Sequence, residues 1–528
     1  MTRDTYVQYL LREWPLVFVC GCLVFMIWPM LDADFGMIDD HEIVSIVGRD
    51  KRVSVTELSP LIQQFAIESN GRFRPGYYVF RIVEAFCFRL DAGLWHTNRL
   101  LLAVVSSLAL YVATRVVLQP FLAGAITLLF FSGSQNEIWI HLGPAESYGV
   151  PLTLIGIAWI AVQLGRQQWQ PVRLLPGFVL LWIAGFVKES FIPVLPAALL
   201  LTYVVMPLVL SPLIPRRSHL RLRDGLVLLC LLLGVGVQIG LTAWAIQAHG
   251  RYTGDASITG EASIASFLYA LKPMLVSYSR NTLWFLPLLA GFVTLLPRHP
   301  QQWLGRGWHR DLVKVAVLST AGGILILGPQ AVIYVGNTSP AGRYLTPGNL
   351  FVTFAASLGF YLLSSNVIAR SYLELRGVVA GMLIGVALLG ILGSYREADA
   401  AALSTQKFQT KLAEIVHLKS QHPELPLLFY STDVSDREPL VSVASYLAVE
   451  LPTPNRPFLN TYDWEAGAET PLEIALANLI REQSVQGDKL FDKIADFPGS
   501  NGHCIAVIFS GPRDGSRCAY SIHMRDQR

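Results

Sequence analysis

Charge is scarce in this chain, and the scarcity constrains everything else. Asp, Glu, Lys and Arg make up only 15% of the 528 residues, where a soluble domain carries about a quarter. Hydrophobic residues reach 52% and the mean hydropathy is +0.45. A soluble enzyme tethered by one anchor does not account for this, and a polytopic membrane protein does. The net charge of +3 is small and dispersed, which removes the basic footprint of a nucleic-acid binder. Cysteine is scarce too. None of the six cysteines stands in a CxxC or Cys/His metal spacing, and Cys20, Cys22, Cys87 and Cys230 lie in apolar stretches that suit buried, inert thiols. Cys504 and Cys518 fall in the polar tail and can pair as a disulfide if that tail faces an oxidising compartment. The tail also lacks a glycine-rich phosphate loop and a nucleophile elbow, and no internal repeat is visible.

What the chain does contain is a succession of apolar runs. The first, Pro15–Leu31, follows a short head with Arg3 and Arg12; no small-residue cleavage site follows it, so it reads as a retained span. Further runs lie near Leu100–Leu118, Phe121–Ile138, Tyr148–Leu164, Leu174–Val187, Phe191–Leu210, Gly225–Ala248, Thr282–Leu296, Val313–Val335, Leu350–Val367 and Val378–Leu392. The expected fold is a polytopic α-helical membrane protein of about 11 spans. Leu174–Leu210 is too long for one crossing and carries Lys188-Glu189 at its middle. A hairpin of two spans avoids a charge pair in mid-membrane.

Orientation follows from the basic residues of the short loops. With the N-terminus in the cytoplasm, Arg166, Arg173, Arg216, Arg217, Arg221, Arg223, Arg298, Arg306, Arg310, Lys314, Arg370 and Arg376 are inside. Only Lys188, Arg251, Lys272, Arg280 and Arg343 are left for the short outer loops. An odd number of spans then puts the C-terminus outside. Two domains are expected: a membrane domain over 1–393 that includes a large first outer loop at 32–98, and a soluble outer domain over 394–528. The tail alternates strand-like runs (Leu427–Tyr430, Phe458–Tyr462, Cys504–Phe509) with helical ones (Leu440–Leu451, Pro471–Gln483), the pattern of an α/β layer.

The densest local signal is Asp32-Ala-Asp34-Phe-Gly-Met-Ile-Asp39-Asp40-His41-Glu42, directly outside the first span. Adjacent carboxylates repel, which favours a proton on one of them and suits the pair to proton transfer. The same acids also suit the N-terminus of a helix starting near Glu42. Next comes Gly71-Arg72-Phe73-Arg74-Pro75, opening a stretch to Leu90 that is apolar except for Arg81, Glu84 and Arg89. At about 100° per residue Arg81 and Glu84 share one side, the pattern of an interfacial amphipathic helix. Arg72 and Arg74 then lie at headgroup depth, where guanidinium forks grip phosphates or simply anchor the chain to anionic lipid. Trp95-His96-Thr97-Asn98-Arg99-Leu100 closes the loop.

In this order and on this side of the membrane, the acidic pair, the Arg-x-Arg-Pro element, the amphipathic helix and the Trp-His-x-Asn-x-Leu entry resemble the front end of the GT-C superfamily of membrane glycosyltransferases. That superfamily includes bacterial polyprenyl-phosphate-sugar enzymes and the protein O-mannosyltransferases. The resemblance covers roughly Asp34 to Leu118 in motif and the whole chain in architecture. It implies an inverting transfer of a sugar from a polyprenyl-phosphate donor to a glycan, lipid or protein acceptor at the outer face of a bacterial inner membrane. Asp39, or alternatively Asp40, is the implied base. Arg343, Lys188, Arg72 and Arg74 are the implied holders of the donor phosphate. His41 and Glu42, His141 and Glu146 of the second outer loop, and Tyr344 beside Arg343 are the implied sugar-binding residues. The plainer alternatives are a mutually neutralised Lys188-Glu189 pair and an interfacial anchor at Arg343-Tyr344. No catalytic metal is expected, although a divalent cation is left open, and the lipid-linked sugar is substrate rather than cofactor. A lipid-linked polysaccharide ligase or polymerase, or a multi-span transporter or flippase, are the alternatives; neither explains a large acidic loop directly after the first span.

Overall fold

Proline and local capping start most of the helices. In the computed structural model, which describes residues 12–37, 40–47, 73–132, 136–166, 168–205, 222–249, a few positions between 325 and 353, 373–431, 437–451, 458–461, 502–509 and 518–524, Pro15, Pro75, Pro120 and Pro171 each stand in the first turn of a helix. There the missing N–H costs nothing and the fixed φ is already helical. These open α1 (Trp14–Ile27, continued by a 3-10 turn over Trp28–Met30), α3 (Pro75–Phe88), α5 (Pro120–Phe131) and α8 (Pro171–Val187). Between them run α2 (His41–Val47), α4 (Ala92–Arg115), the short α6 (Glu137–Ile140) and α7 (Glu146–Gly165). Asp91 caps α4, its Oδ1 accepting from the Leu94 amide at 3.1 Å. Arg89 ends α3 at positive φ (54°), and its carbonyl accepts from Trp95 Nε1 at 2.9 Å.

Three of these helical segments are long and apolar enough to cross a membrane among the described residues: Ala92–Arg115, Glu146–Gly165 and Asp224–Trp244 within α10 (Leu222–His249). Trp14–Met30, Pro120–Phe131, Pro171–Val187 and Glu189–Val204 are apolar but shorter. The expected count of about eleven spans is therefore met only in part. Phe121–Ile138 is not one helix, since α5 ends at Phe131. The described part of the Phe191–Leu210 run is broken into a 3-10 turn (Glu189–Phe191), α9 (Val194–Leu200) and a π turn (Leu201–Val205); Pro193 and Pro196 remove backbone donors there. The expected spans at Thr282–Leu296, Val313–Val335 and Leu350–Val367 lie almost wholly outside the described residues.

Helices α7 and α8 cross at small residues. A Cβ on Gly156 would stand 2.7 Å from the Gly177 carbonyl oxygen, and the reverse is equally true. Only glycine allows that approach, which is how helices associate where apolar lipid offers no hydrophobic drive. The membrane-side core gathers Leu23, Met26, Leu128, Phe131, Trp139, Leu154, Phe178 and Leu181.

Helix α11 (Leu373–Gln421) runs unbroken for 49 residues, so the expected boundary at 393/394 falls inside one helix. Its apolar first half joins the membrane-side core through Leu383, Ala387 and Ile391. Its polar second half leads to β1 (Leu427–Ser431), α12 (Arg437–Glu450), β2 (Phe458–Thr461), β3 (Gly502–Ile508) and β4 (Cys518–His523). The strands form a parallel sheet in the order β2-β1-β3-β4, the α/β layer expected of the tail. Cys504 and Cys518 are joined by a disulfide between the neighbouring strands β3 and β4, with Cα atoms 4.5 Å apart. The expected helix over Pro471–Gln483 lies outside the described residues. A second core joins the tail to the segment from α1 to the start of α4: Phe35, Ile43, Val44, Ile82 and Trp95 pack with Phe408, Phe429, Val441, Ile505 and Val507.

Candidate functional site

Helix α3 is inside-out relative to a soluble amphipathic helix. Its polar positions, Arg81 and Glu84, are buried, while Val79, Val83 and Phe86 are exposed. The sequence places Arg81 and Glu84 on one side, and the structure turns that side toward the protein. An apolar outer face suits a helix set against lipid.

The buried side of α3 feeds a polar cluster. Glu84 Oε1 accepts from Asn98 Nδ2 at 2.5 Å and from Arg99 Nη1 at 3.1 Å. Its Oε2 accepts from the Tyr148 hydroxyl and from Arg99 Nη2 at 3.3 Å. Arg99 also donates to the Leu142 carbonyl at 3.2 Å and lies over the Tyr148 ring, 4.4 Å from its centre. Arg81 donates through Nε to the Tyr77 hydroxyl at 3.1 Å. Its guanidinium sits between the Tyr77 and Trp95 rings, 5.4 and 5.3 Å from their centres. The Arg81 terminal nitrogens donate to no protein atom among the described residues, so the two ring faces supply its contact. Tyr77 in turn donates to Glu42 Oε2 at 2.7 Å, with the Gly143 carbonyl at 3.1 Å. Burial pushes the Tyr77 phenol well above its ordinary value, which keeps it a neutral donor. Neither Tyr77, Glu84, Arg99 nor Tyr148 was singled out by sequence reasoning as a functional residue. The available signal was Arg99 standing in an apolar span, where an ionisable residue demands a partner.

Of the described residues expected from sequence, Glu42 joins this cluster through Tyr77. Asp40 is buried at the head of α2; its carbonyl accepts from the Ile43 amide at 3.0 Å and its Oδ2 accepts from the Gly36 amide at 2.6 Å. His41 is buried against the tail, its Nδ1 2.7 Å from Ser442 Oγ. Arg74 grips Glu189 with both Nε, at 2.6 Å, and Nη2, a bidentate fork. Lys188 does not pair with its neighbour Glu189. It reaches Glu146 at the start of α7. The elements pack closely on either side of these pairs: a Cβ on Gly76 would stand 3.1 Å from the Phe186 carbonyl, and one on Gly149 would stand 2.7 Å from the Phe191 ring. Glu146 is fully buried, and its second oxygen, like Ser190 Oγ, has no hydrogen-bond partner among the described residues. Arg343 Nη1 lies 3.5 Å from Glu137 Oε1, and His141, a few residues on, is exposed. Asn136, beside Glu137, donates to Ser394 Oγ at 2.6 Å and Glu397 Oε2 at 2.7 Å on α11.

No family model matches this chain, and no curated protein or solved structure matches it either. Chemistry must therefore be argued from the residues alone. Four segments expected to share a site are linked by direct contacts. The acidic loop meets α3 through Glu42–Tyr77, α3 meets the second outer loop through Tyr77 and Gly143, and Arg74 and Lys188 tie the 188–190 turn to α3 and α7. Arg343 joins the second outer loop separately, through Glu137. Asp39, Arg72 and Tyr344 lie outside the described residues. Each of the three described bases expected to hold phosphate faces a carboxylate: Arg74 faces Glu189, Lys188 faces Glu146 and Arg343 faces Glu137. An incoming phosphate would share or displace those acids. Among the described residues no group of three or more His, Cys, Asp or Glu is arranged to hold a metal ion.

Proposed function

We propose that this chain is an inverting membrane glycosyltransferase of about eleven spans, with its N-terminus in the cytoplasm, moving a sugar from a polyprenyl-phosphate donor to an acceptor hydroxyl at the outer membrane face. Asp39, or its neighbour Asp40, takes the proton of the acceptor hydroxyl. The acceptor oxygen bonds to the anomeric carbon from the face opposite the leaving group. The anomeric carbon–oxygen bond breaks, and its electron pair leaves with the lipid phosphate. Arg74, Lys188, Arg72 and Arg343 stabilise the charge that develops on that phosphate. His41, Glu42, His141, Glu146 and Tyr344 line the sugar.

The observation that supports this reading most is the linkage of the acidic loop, the Arg74 segment, the second outer loop and the Lys188–Glu189 turn through buried charge pairs and the Tyr77 hydroxyl. Buried ionisable groups are costly unless paired, and a cluster of them joining separate segments is a candidate functional site. The deciding assay offers membranes containing the protein a series of polyprenyl-phosphate sugars and follows the released polyprenyl phosphate. Release above that of membranes lacking the chain supports the reading; none with any donor and acceptor removes it.

A further inference from the structure

The tail reaches back across most of the sequence to hold the acidic loop, and it does so with directional bonds. Gln409 on α11 donates to the Phe35 carbonyl at 2.6 Å. The same peptide group, through the Gly36 amide, donates to Asp40 Oδ2 at 2.6 Å. Tyr446 on α12 donates to the Gly36 carbonyl at 2.9 Å. Ser442, one turn earlier and fully buried, meets His41 Nδ1 at 2.7 Å, 401 positions away in sequence. A Cβ on Gly36 would stand 3.3 Å from Asp40 Oδ2 and 3.7 Å from Thr405 Oγ1, so the backbone here is threaded between the acid and α11. Apolar contact in the shared core would hold the loop against the tail in many orientations, because hydrophobic burial is non-directional. The bond from Gln409 instead sets the plane of the peptide that carries the hydrogen bond to Asp40, and the bond from Tyr446 sets the plane of the next peptide, so Gly36 is held on both sides.

We propose that Ser442 and Tyr446 are positioning residues: helix α12 of the tail fixes the acidic loop, and through Gly36 and His41 it sets where the Asp40 carboxylate stands. This rests on the transferase reading of the acidic pair, and it assigns the tail a role in the reaction without any substrate contact. A displacement of about 1 Å at a reacting group costs on the order of a hundredfold in rate.

The experiment uses the full-length protein in lipid nanodiscs and compares wild type with Tyr446→Phe, Ser442→Ala and Ser442→Thr. Two quantities are read: kcat and KM for the lipid-linked donor, and hydrogen–deuterium exchange of the backbone amides over 33–44. Tyr446→Phe and Ser442→Ala are expected to quicken exchange and to lower kcat about ten- to a hundredfold at nearly unchanged KM. Ser442→Thr keeps the hydroxyl and is expected to restore both. Unchanged exchange in the Phe and Ala variants overturns the clamp. Faster exchange with unchanged kcat also overturns it, because the tail would then serve stability alone. Faster exchange in a protein whose wild type transfers no sugar supports the clamp and overturns the transferase reading instead.

Discussion

Lys188 passes over its neighbour Glu189 and pairs with Glu146, while Glu189 is taken by Arg74. Two ion pairs thereby bind α3, α7 and the 188–190 turn into one block, with side chains of the Lys188–Glu146 pair almost wholly withdrawn from solvent (4% and 0% exposed). In such a place the worth of a pair and the cost of losing half of it differ greatly. Desolvation offsets much of the attraction, but an orphaned charge has no compensation.

The first prediction follows directly. Glu146→Gln leaves the Lys188 ammonium buried without its carboxylate, and Lys188→Met does the converse. Each single change is expected to cost about 3–5 kcal/mol, and the double change Glu146→Gln with Lys188→Met is expected to cost less than either. Thermal unfolding in detergent, read by loss of the monodisperse peak, distinguishes the two patterns. Additive losses in the double variant would mean that the residues do not act as a pair.

The same lysine predicts a pH dependence. Lys188 lies in the turn after α8, outside the expected spans, and burial lowers its ammonium to about 8 against the pull of Glu146. The folded value is thus below the unfolded one of about 10.4. Between about pH 8 and 10.4 the unfolded chain binds more protons, so this residue makes stability rise with pH in that window. Lys188→Met should lack that rise when apparent melting temperatures are compared from pH 7 to 10.5. Sugar transfer that uses the cation should fall as pH passes about 8, and Lys188→Arg, whose guanidinium stays charged, should move the fall upward.

Part of the fold was legible in the sequence because lipid imposes a strong rule on composition. The apolar runs at Tyr148–Leu164, Leu174–Val187 and Gly225–Ala248 match α7, α8 and most of α10 to within a few residues, and the strand-like runs of the tail match β1, β2 and β3. Pairing was not legible. Nothing local distinguishes Lys188–Glu146 from Lys188–Glu189; the choice depends on how the helices pack, which the sequence pattern does not reveal. Likewise the period of α3 reveals that Arg81 and Glu84 share a side, but only packing decides that this side faces inward. The bonds from Ser442 and Tyr446 to the first loop join segments hundreds of residues apart, beyond the reach of any spacing rule.

The α7–α8 crossing supplies a prediction independent of function. Alanine at Gly156 or Gly177 places a methyl carbon 2.7 Å from the opposite carbonyl oxygen, backbone that cannot swing aside. Overpacking of this kind costs about 1–3 kcal/mol. Gly225→Ala, on α10 where nothing lies within 4 Å, should be neutral or slightly stabilising. Melting temperatures of the three purified variants check the contrast, and an unperturbed Gly156→Ala would mean that the helices cross farther apart.

Topology gives a third kind of test. The first outer loop and the tail share one apolar core, so they must lie on the same side of the membrane. On the proposed orientation, with the basic short loops inside, that side is the outer one. A reporter that is active only outside the cytoplasm, fused after Arg528, should be active. The same reporter inserted after Arg217 should be silent. A silent C-terminal fusion would invert the orientation and move the acidic loop, with the tail it packs against, to the cytoplasmic face.

The last prediction decides the chemistry. Asp39→Asn and Asp40→Asn each keep the shape of the side chain and remove its basicity. Asp40 differs from a solvated acid because its Oδ2 already accepts from the Gly36 amide and the residue is buried at the head of α2. An amide at position 40 can turn its oxygen toward that N–H and keep the loop closed, so Asp40→Asn separates a proton-transfer role from a structural one. If Asp39 is the base, Asp39→Asn lowers the release of polyprenyl phosphate about 10²–10⁴-fold, while Asp40→Asn costs much less and leaves melting temperature and exchange of the 33–44 amides as in wild type. If Asp40 is the base, the rate loss moves to Asp40→Asn with the same unaltered folding. Activity within a few fold of wild type in both single variants, and in the double variant, would remove the acidic pair from the reaction and with it the mechanism proposed for this site.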